Sequence, residues 1–512
     1  MREGDDKTLR RWQRLGACTL FIGCAALYAW TGMRPAFNGL LSDSYVYLAA
    51  AAALRHDPSL LAHIAAVYPF PPLFPLSLGL AGGGSSSPAQ SYLFGAVVLA
   101  GVVVLFLRWL RAEGVAPVPA ALAARGFAML PASLQTAMGI LSEPLFMLCV
   151  TGAMLALSRD TPRGWWLAAS FVAAASLTRS VGVAAIAAFV LHWGVCRGWR
   201  RARAAPLLAA APFVLWTLGK QWLGWNDYTV STVAKYDAFA LLIANAEAWR
   251  IYAVKGVDLL MRRHTAVVLA VLGAMALFTW AMRLRPGRFD ALYVGAYLAI
   301  MAIWPYPHHA GRFLYVLLPI ALAYAVLGVQ AVFRRLPSLP AVHAAATALV
   351  PLGVLVAALP STATMLAGLW RHPDPPLASA MRAPSWYEAA PSAALRSARF
   401  EQRLVGFQRP APPLLPPAAC VASVIPQQVL VYGARRGVDL AQVRARGRTL
   451  EETFAECPYV LMIAARPYPP VKGVGSLFPL EVIRDRLEVI ALERDRPDDP
   501  RSALVAMLAR VR

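Results

Sequence analysis

Residues 92–110, YLFGAVVLAGVVVLFLRWL, contain a single charged side chain, Arg108. A helix of about 20 apolar residues is long enough to cross the ~30 Å hydrocarbon core of a bilayer. Backbone in lipid must form a helix or a closed barrel, because unpaired peptide groups there cost several kcal/mol. Leu, Ala and Val follow one another here without the alternation of a strand, so the stretch predicts a membrane-spanning helix.

Similar stretches recur through the first 360 of the 512 residues, in a chain that is 58% hydrophobic and only 15% charged. This composition excludes an ordinary soluble enzyme and predicts an all-α polytopic membrane protein with about 11 transmembrane helices. The predicted spans lie near 15–33, 92–110, 117–137, 140–157, 164–178, 180–196, 204–222, 265–282, 289–305, 312–332 and 340–360.

Lys and Arg residues predict the orientation, because short cytoplasmic loops carry the positive excess. The basic residues of the N-terminus and of alternate short connections all fall on one side. We therefore expect a cytoplasmic N-terminus, with 34–91, 219–264, 306–311 and everything after 360 outside. The residues concerned are Arg2, Lys7, Arg10, Arg11, Arg14, Arg108, Arg111, Arg159, Arg163, Arg197, Arg200, Arg201, Arg203, Arg283, Arg285, Arg288, Arg334 and Arg335.

The formal charge of +22 is largely explained by these loops and an Arg-rich tail. We therefore predict no nucleic-acid partner. The first span lacks a small-residue cleavage site and precedes further spans, which indicates an anchor rather than a signal peptide. The bias toward Ala, Arg and Pro is typical of a GC-rich bacterial genome, so we expect a multi-pass protein of the bacterial cytoplasmic (inner) membrane.

Three parts are predicted: a transmembrane region at 1–360, whose first external loop is 34–91; a Pro/Arg-rich connector at 361–417; and a small periplasmic α/β domain at 418–512. In the last part, 419–424, 428–432, 459–464 and 484–492 are predicted strands. Cys420 and Cys457 would face an oxidising compartment, where a disulfide between them and two free thiols are both compatible with the sequence.

The first external loop carries Asp43 in the sequence Leu-Ser-Asp-Ser-Tyr-Val-Tyr-Leu. A carboxylate just outside the membrane could act as a general base that takes a proton from an acceptor hydroxyl. Tyr47 follows four residues later and would share a helix face with it. The alternative is that Asp43 only caps a helix, because Ser-Asp-Ser is favourable capping chemistry.

Further ionisable residues collect at the predicted outer ends of spans, which indicates one polar cavity open to the outside. Arg179 and Arg312 stand against the positive-inside bias and predict an anion site such as a phosphate site; the alternative is snorkelling to headgroups. Glu143 opens a predicted span, where its alternative role is capping. Other residues expected to hold phosphate or line the cavity are His56, Tyr68, Lys220, Lys235, His308 and His309.

Five short motifs, all on the predicted outer side, resemble the polytopic glycosyltransferases of the GT-C fold, and more closely the bacterial relatives of protein O-mannosyltransferases and lipid A aminoarabinose transferases. The resemblance covers about residues 10–360. The motifs are Asp43-Ser-Tyr-Val-Tyr47, Tyr68-Pro-Phe-Pro-Pro-Leu-Phe-Pro75, Ser142-Glu-Pro-Leu-Phe146, Leu177-Thr-Arg-Ser180 and Gly311-Arg-Phe-Leu-Tyr315.

The resemblance implies a polyprenyl-phosphate sugar as donor and transfer outside the cytoplasmic membrane, normally with inversion. It also places the catalytic acid at Asp43 and lines the donor site with Glu143, Arg179 and Arg312. Many relatives have a second acid directly after the first, and here that position is Ser44. Asp57, Glu143, Asp227 and Asp237 are then the candidates for a second acidic function.

We therefore expect an inverting glycosyltransferase with Asp43 as its base, acting on a lipid, glycan or protein acceptor. Adjacent histidines at 308 and 309 are weak evidence for a metal, so no metal site is assigned, although a divalent cation at Asp43 is compatible with the sequence. An O-antigen ligase or polymerase with a diphosphate-linked donor is an alternative, but its key residues would lie in a late loop. A lipid or small-molecule transporter is a third, which the absence of repeats and midplane acids disfavours.

Overall fold

The structure is a computed structural model that describes residues 2–34, 40, 42–68, 70–84, 88–198, 204–225, 237–255, 266–334, 340–371, 391–408, 410, 414–416, 418–423, 426–433, 435–440, 449–463, 484–494 and 504–512. The chain divides into two compact units. The first unit comprises 1–33, 68–74 and 92–371, and the second comprises 34–67, 75–91 and 372–512.

The described helices are numbered in chain order. They are α1 (Arg2–Met33), α2 (Ser42–His56), α3 (Pro58–Val67), α4 (Leu73–Leu80), α5 (Pro88–Ala112), α6 (Pro117–Ala128), α7 (Pro131–Ala137), α8 (Glu143–Leu157), α9 (Pro162–Thr178), α10 (Val183–Arg197), α11 (Ala204–Trp222), α12 (Ala238–Lys255), α13 (Ala266–Leu284), α14 (Phe289–Ala302), α15 (Ala310–Tyr315), α16 (Leu318–Phe333), α17 (Pro340–Arg371), α18 (Pro391–Gln408), α19 (Pro426–Gly433) and α20 (Leu450–Glu456). Short 3₁₀ turns occupy Ser180–Gly182, Pro307–His309 and Arg484–Arg486.

Four helices of the described residues are long and apolar enough to cross a membrane, namely Arg14–Met33, Ala89–Ala112, Ser180–Arg197 and Ala341–Arg371. Four shorter apolar helices accompany them, at Glu143–Leu157, Ala270–Leu284, Phe289–Ala302 and Leu318–Phe333. These agree with eight of the predicted spans in position. The predicted total of about 11 spans stays a prediction. Among the described residues, the helices at the remaining predicted spans are not both long enough and apolar enough to count as candidate spans.

The predicted span 117–137 is two helices in the structure, α6 and α7, which meet at Met129 and Leu130. Pro131 begins α7, and it has no N–H to continue the hydrogen-bond ladder of α6. A residue before proline is also disfavoured in the helical region, and Leu130 accordingly has φ −62° and ψ 139°. The predicted connector begins inside α17, which continues to Arg371.

Side chains tie neighbouring helices of the first unit together where the helices carry polar groups into an apolar interior. The Tyr28 hydroxyl of α1 donates to the carbonyl of Ala128 in α6, at 3.0 Å. The Thr279 hydroxyl of α13 donates to the carbonyl of Tyr324 in α16, at 2.7 Å. Buried polar groups need such partners, because an unpaired one costs about 1–3 kcal/mol.

An ionic network of Glu113, Arg283, Arg288 and Asp290, hereafter the Asp290 cluster, joins the end of α5 to α13 and α14. Glu113 accepts from Arg283 Nη1 at 2.9 Å and from Arg288 Nη2 at 2.7 Å. Asp290 accepts from Arg283 Nε and, at 2.7 Å, from the hydroxyl of Tyr324. Two carboxylates thus meet two guanidinium groups, and the cluster is neutral.

The second unit contains a five-stranded mixed sheet with strand order β2-β1-β3-β5-β4. The strands are β1 (Cys420–Ser423), β2 (Arg436–Asp439), β3 (Tyr459–Ile463), β4 (Leu487–Arg494) and β5 (Leu504–Val511). Strands β2, β1 and β3 are parallel, with Ala422 opposite Val438 and Val460, whereas β3, β5 and β4 are antiparallel. Two buried apolar clusters lie around this sheet, which confirms the predicted α/β character of the C-terminal region.

The predicted strand 428–432 is wrong, because these residues belong to helix α19. A short apolar run such as Val429-Leu430-Val431 does not distinguish a buried strand from one buried turn of helix. Pro426 gives the local signal for a helix, since proline suits the first helical position. The other three predicted strands correspond to β1, β3 and β4.

The structure joins Cys420 and Cys457 in a disulfide, with Cα atoms 4.6 Å apart. This distance lies in the usual range for bridged cysteines. The bond links the start of β1 to the residue that follows α20. Of the two alternatives that the sequence left open for this pair, the structure has the disulfide.

Helices α2 and α3, from the predicted first external loop, belong to the same unit as this sheet. Helix α2 packs on α19, and the Tyr45 and Tyr432 rings are 5.9 Å apart. Residues 44–51 of α2 are almost completely buried. The C-terminal sheet therefore shares its compact unit with segments from near the N-terminus.

Candidate anion site

Glu143 is the first residue of α8, and its side chain is only 1% exposed. Its Oε1 atom accepts from Arg179 Nη1 at 2.7 Å and from Arg312 Nε. Arg179 Nη1 also donates to the Ser142 hydroxyl at 3.2 Å. The structure thus brings three of the predicted site residues together, and we call Glu143, Arg179 and Arg312 the Glu143 cluster.

Arg179 reaches this position because the chain leaves α9 in an extended conformation. Its φ is −148° and its ψ is 140°, and a 3₁₀ turn at Ser180–Gly182 follows. That turn passes so close to α9 that a Cβ at Gly182 would clash with the backbone of Ser176. Only glycine leaves room for this approach. The turn therefore fixes the backbone position from which the Arg179 side chain extends.

Arg312 lies in the short helix α15, directly before Phe313. The backbone carbonyl of Phe313 accepts from the buried Tyr297 hydroxyl at 2.9 Å. Both guanidinium groups lie 5.8 Å from the centroid of the Phe313 ring. At this distance a cation is attracted by the ring quadrupole, so Phe313 helps to hold the two arginines side by side.

The Glu143 cluster has one carboxylate for two guanidinium groups, so these three side chains carry a net charge of +1. The arginine side chains are only 13% and 15% exposed. Buried charge is costly unless it is compensated. Arginine also binds phosphate through paired hydrogen bonds, so the arrangement is suited to an anion at the arginines and unsuited to a divalent cation at Glu143. No group of three or more His, Cys, Asp or Glu residues that could hold a metal occurs in the part of the chain that the structure describes.

Asp43 lies in the first turn of α2, in the second unit, and its side chain is partly exposed. Tyr47 is one turn further along α2 and is 5% exposed. Ser44, at the position where the resemblance implies a second acid in many relatives, is fully buried. A carboxylate at that position would lose its hydration, which gives a physical reason for a neutral residue there.

Two of the candidates for a second acidic function are helix caps. Asp57 accepts at Oδ1 from the backbone N–H of Leu60 at 3.0 Å and from the Ser59 hydroxyl at 2.7 Å. These hydrogen bonds, with that of Leu60 first, lower the pKa of Asp57 below its ordinary value. Asp237 accepts from the N–H of Phe239 at the start of α12, at 2.9 Å. Asp227 lies outside the described residues.

The remaining predicted site residues lie at several places in the fold. His309 is partly buried, with its ring centroid 6.2 Å from that of Phe313, so it adjoins the ring shared by the two arginines. His308 precedes it in the 3₁₀ turn Pro307–His309. Tyr68 is partly buried, and His56 ends α2.

Of the two lysines predicted to bind phosphate, Lys220 lies within the described residues and Lys235 does not. Lys220 is buried, at 6% exposure, in the last turn of α11. A buried lysine normally has a specific role or partner, so it stays a candidate for phosphate binding. Lys235 lies outside the described residues, and its predicted role stays a prediction.

Sequence reasoning missed the neutral residues that fix the Glu143 cluster. Phe313 and Tyr297 have no charge to single them out, although Phe313 lies within the predicted Gly311–Tyr315 motif. Asn245 was also missed. This buried side chain donates to the carbonyl of Trp304 at 2.8 Å and so fixes the segment before His309. An amide within the apolar run 238–246 at the start of α12 was the signal available for it.

No protein-family model matches the sequence, and no curated protein matches it significantly. Solved structures do match. ArnT from Cupriavidus metallidurans in the apo state is 14% identical, with a TM-score of 0.53, over 97% of this chain and 98% of that chain. The same protein bound to undecaprenyl phosphate is 13% identical, with a TM-score of 0.50, over 96% of this chain and 98% of that one. The arabinofuranosyltransferase AftD from Mycobacteria matches at 16% identity and a TM-score of 0.48, over 98% of this chain and 40% of that chain. The two ArnT matches show that this protein has the ArnT fold, which confirms the GT-C fold predicted from the motifs.

Proposed function

We propose that the protein is an inverting glycosyltransferase that moves a sugar from a polyprenyl-phosphate donor to an acceptor on the outer side of the cytoplasmic membrane. The observation that carries this proposal is the Glu143 cluster, in which two arginines share one buried carboxylate oxygen. Support comes from the shared fold with ArnT, a protein whose structure has been solved with undecaprenyl phosphate bound. The acceptor is a lipid, a glycan or a protein.

In the proposed reaction the Asp43 carboxylate takes the proton of the acceptor hydroxyl. The acceptor oxygen attacks C1 of the sugar, and the bond from C1 to the phosphate oxygen breaks on the opposite face. One such displacement inverts the configuration at C1. The polyprenyl phosphate leaves with an additional negative charge, which Arg179 and Arg312 stabilise.

Other residues have supporting roles in this proposal. Lys220 and Lys235 assist in holding the phosphate. Tyr47 and His309 shape the sugar site, and Tyr68, His56 and His308 line it. Glu143 is assigned to positioning the arginines, because both of them contact its Oε1 atom.

The test is a transfer assay in membranes with radiolabelled polyprenyl-phosphate sugars, comparing the wild type with Asp43→Asn. The variant removes the base and keeps the shape, so we expect a folded, inserted and inactive protein. Asp57→Asn is the matched control, since it makes the same change in the same segment and asparagine also caps helices. It should transfer at the wild-type rate.

Several outcomes discriminate between explanations. Wild-type transfer by Asp43→Asn would overturn the assignment of the base. Label that stays on every polyprenyl-phosphate carrier offered to the wild type would overturn the donor class. A repeat with a chelator tests the divalent cation that the sequence left open, because loss of transfer that Mg²⁺ or Mn²⁺ restores would require a metal.

A further inference from the structure

A cavity of about 890 Å³ lies in the first unit, at the end where the first candidate span begins. It is lined by the start of that span in α1, the end of α5, one side of α6 and the end of α8. Positive charge in the loops predicts that this end faces the cytoplasm. The cavity is therefore separate from the proposed transfer site, which is assigned to the outer side.

Five arginines line this cavity, and all five are exposed. Among the described residues that line it, none is acidic. The two nearest acids in sequence are engaged elsewhere, because Glu113 binds Arg283 and Arg288 in the Asp290 cluster and Asp160 binds Arg197 at 2.8 Å. Four of them, hereafter the rim arginines, lie at or just beyond the ends of apolar segments on this side, namely Arg14, Arg108, Arg111 and Arg159, whereas Arg125 lies in the last turn of α6.

Below this rim most of the lining is apolar, with Ala17, Leu20, Leu107, Ala121 and Leu155. Arg125 is the exception among the described lining residues there, since it lies one helical turn further along α6 than Ala121. Arg14 and Leu20 are six residues apart on α1, which corresponds to a depth of about 9 Å at 1.5 Å per residue. If the span crosses the membrane as predicted, the cavity passes from the level of lipid headgroups into the level of acyl chains. A basic rim above a largely apolar floor that contains one further arginine matches the polarity of an anionic lipid.

We propose that this cavity binds one anionic phospholipid from the leaflet on the predicted cytoplasmic side. The rim arginines bind the phosphate through charge-assisted hydrogen bonds, and the apolar floor receives the first carbons of the chains. Orientation by positive charge explains why arginines occur at this end, but it does not require five of them around one cavity. A soluble anion would use the rim and gain nothing from the floor.

The experiment is native mass spectrometry of the purified full-length protein in detergent, titrated with phosphatidylglycerol. We expect one tightly bound lipid for the wild type. A basic side chain near an anionic lipid contributes about fivefold in affinity. Arg108→Gln with Arg159→Gln should therefore weaken binding by about 30-fold. The matched control is Arg163→Gln with Arg285→Gln, which removes two exposed arginines outside the cavity lining and should leave the affinity unchanged.

A second variant tests the floor without changing charge. Ala121→Phe places a large ring in the apolar part of the cavity, and we expect it to displace the lipid while the rim still attracts phosphate. Three competitors separate the sources of the ligand. Phosphatidylcholine should not replace phosphatidylglycerol, and neither inorganic phosphate nor an acidic peptide should compete at equal concentration.

The proposal would be overturned by equal losses in the lining and control variants, which would mean general charge attraction. Competition by inorganic phosphate together with full binding by Ala121→Phe would assign the rim to a free anion. Binding of phosphatidylcholine with the same affinity would remove the role of the arginines. Retention of lipid by every variant would place the bound lipid elsewhere.

Discussion

The two ionic clusters described above for the first unit differ in their balance of charge, and also in exposure, since Arg288 of the Asp290 cluster is 41% exposed. The Asp290 cluster sets two carboxylates against two guanidinium groups. The Glu143 cluster sets one carboxylate against two. A buried charge is costly unless groups of the opposite sign compensate it. We interpret the first cluster as structural, whereas the proposed function uses the two arginines of the second to bind a phosphate.

The largest expected effect comes from breaking the balanced cluster with Arg283→Gln. This change leaves the buried carboxylates of Asp290 and Glu113 with Arg288 alone, which is 41% exposed and lies 3.8 Å from Asp290. Removing one partner of a buried ion pair typically costs about 3–5 kcal/mol, so we expect a loss of that size in the free energy of unfolding. Thermal unfolding in detergent would measure it. A variant as stable as the wild type would refute the structural role.

Arg312→Gln should separate stability from activity in the other cluster. It leaves Glu143 paired with Arg179 as a neutral pair, so the free energy of unfolding should fall by only about 1 kcal/mol, the value of an ordinary hydrogen bond. Transfer should fall by about 10²–10³-fold, as on removal of one group that stabilises a developing anion. Single-turnover transfer from a polyprenyl-phosphate sugar, together with unfolding, provides both values. A stability loss as large as that of Arg283→Gln would contradict the comparison.

Glu143→Gln sharpens the comparison in the opposite direction, because it raises the charge of the cluster from +1 to +2. We expect a loss of about 1–3 kcal/mol without ligand, the penalty for leaving buried polar groups poorly paired. Undecaprenyl phosphate should restore part of it, so its addition should raise the Tm of this variant more than that of the wild type. Equal shifts of Tm would show that the anion does not bind at these arginines.

Asp160→Asn measures what an exposed ion pair contributes to stability, and it should have the smallest effect of the four variants. Asp160 is 76% exposed and pairs with Arg197, and such pairs contribute about 0–1 kcal/mol. Its φ of 40° is left-handed, a conformation that asparagine tolerates well. We expect a change of less than about 1 kcal/mol in unfolding free energy and wild-type transfer. A larger loss would mean that exposure does not separate weak from strong ion pairs here.

Charge placement made Glu143, Arg179 and Arg312 predictable from the sequence, because ionisable groups at span ends need a shared polar environment. The contact of both arginines with the same Glu143 oxygen was not predictable. It depends on the close approach of the Gly182 turn to α9 and on Phe313, an ordinary apolar residue in any local pattern. The predicted roles of these residues in transfer stay predictions.

The fold was predictable in the same uneven way. Long apolar helices such as Ala89–Ala112 stand out by length and composition alone. The helix break before Pro131 and the helix at 426–433 depend on single prolines, which compete with a continuous apolar pattern. The grouping of α2 and α3 with the C-terminal sheet depends on contacts between distant segments, and a local pattern carries no information about these.

The packing of α2 on α19 also affects the order in which the second unit can fold. Helix α2 is synthesised early, whereas α19 follows several hundred residues later. At about 5–20 residues per second, this separation amounts to tens of seconds of translation. During that interval the Tyr45 face of α2 lacks the partner that covers it in the finished protein. The packing of α2 on α19 can therefore form only after all the helices between them have been synthesised.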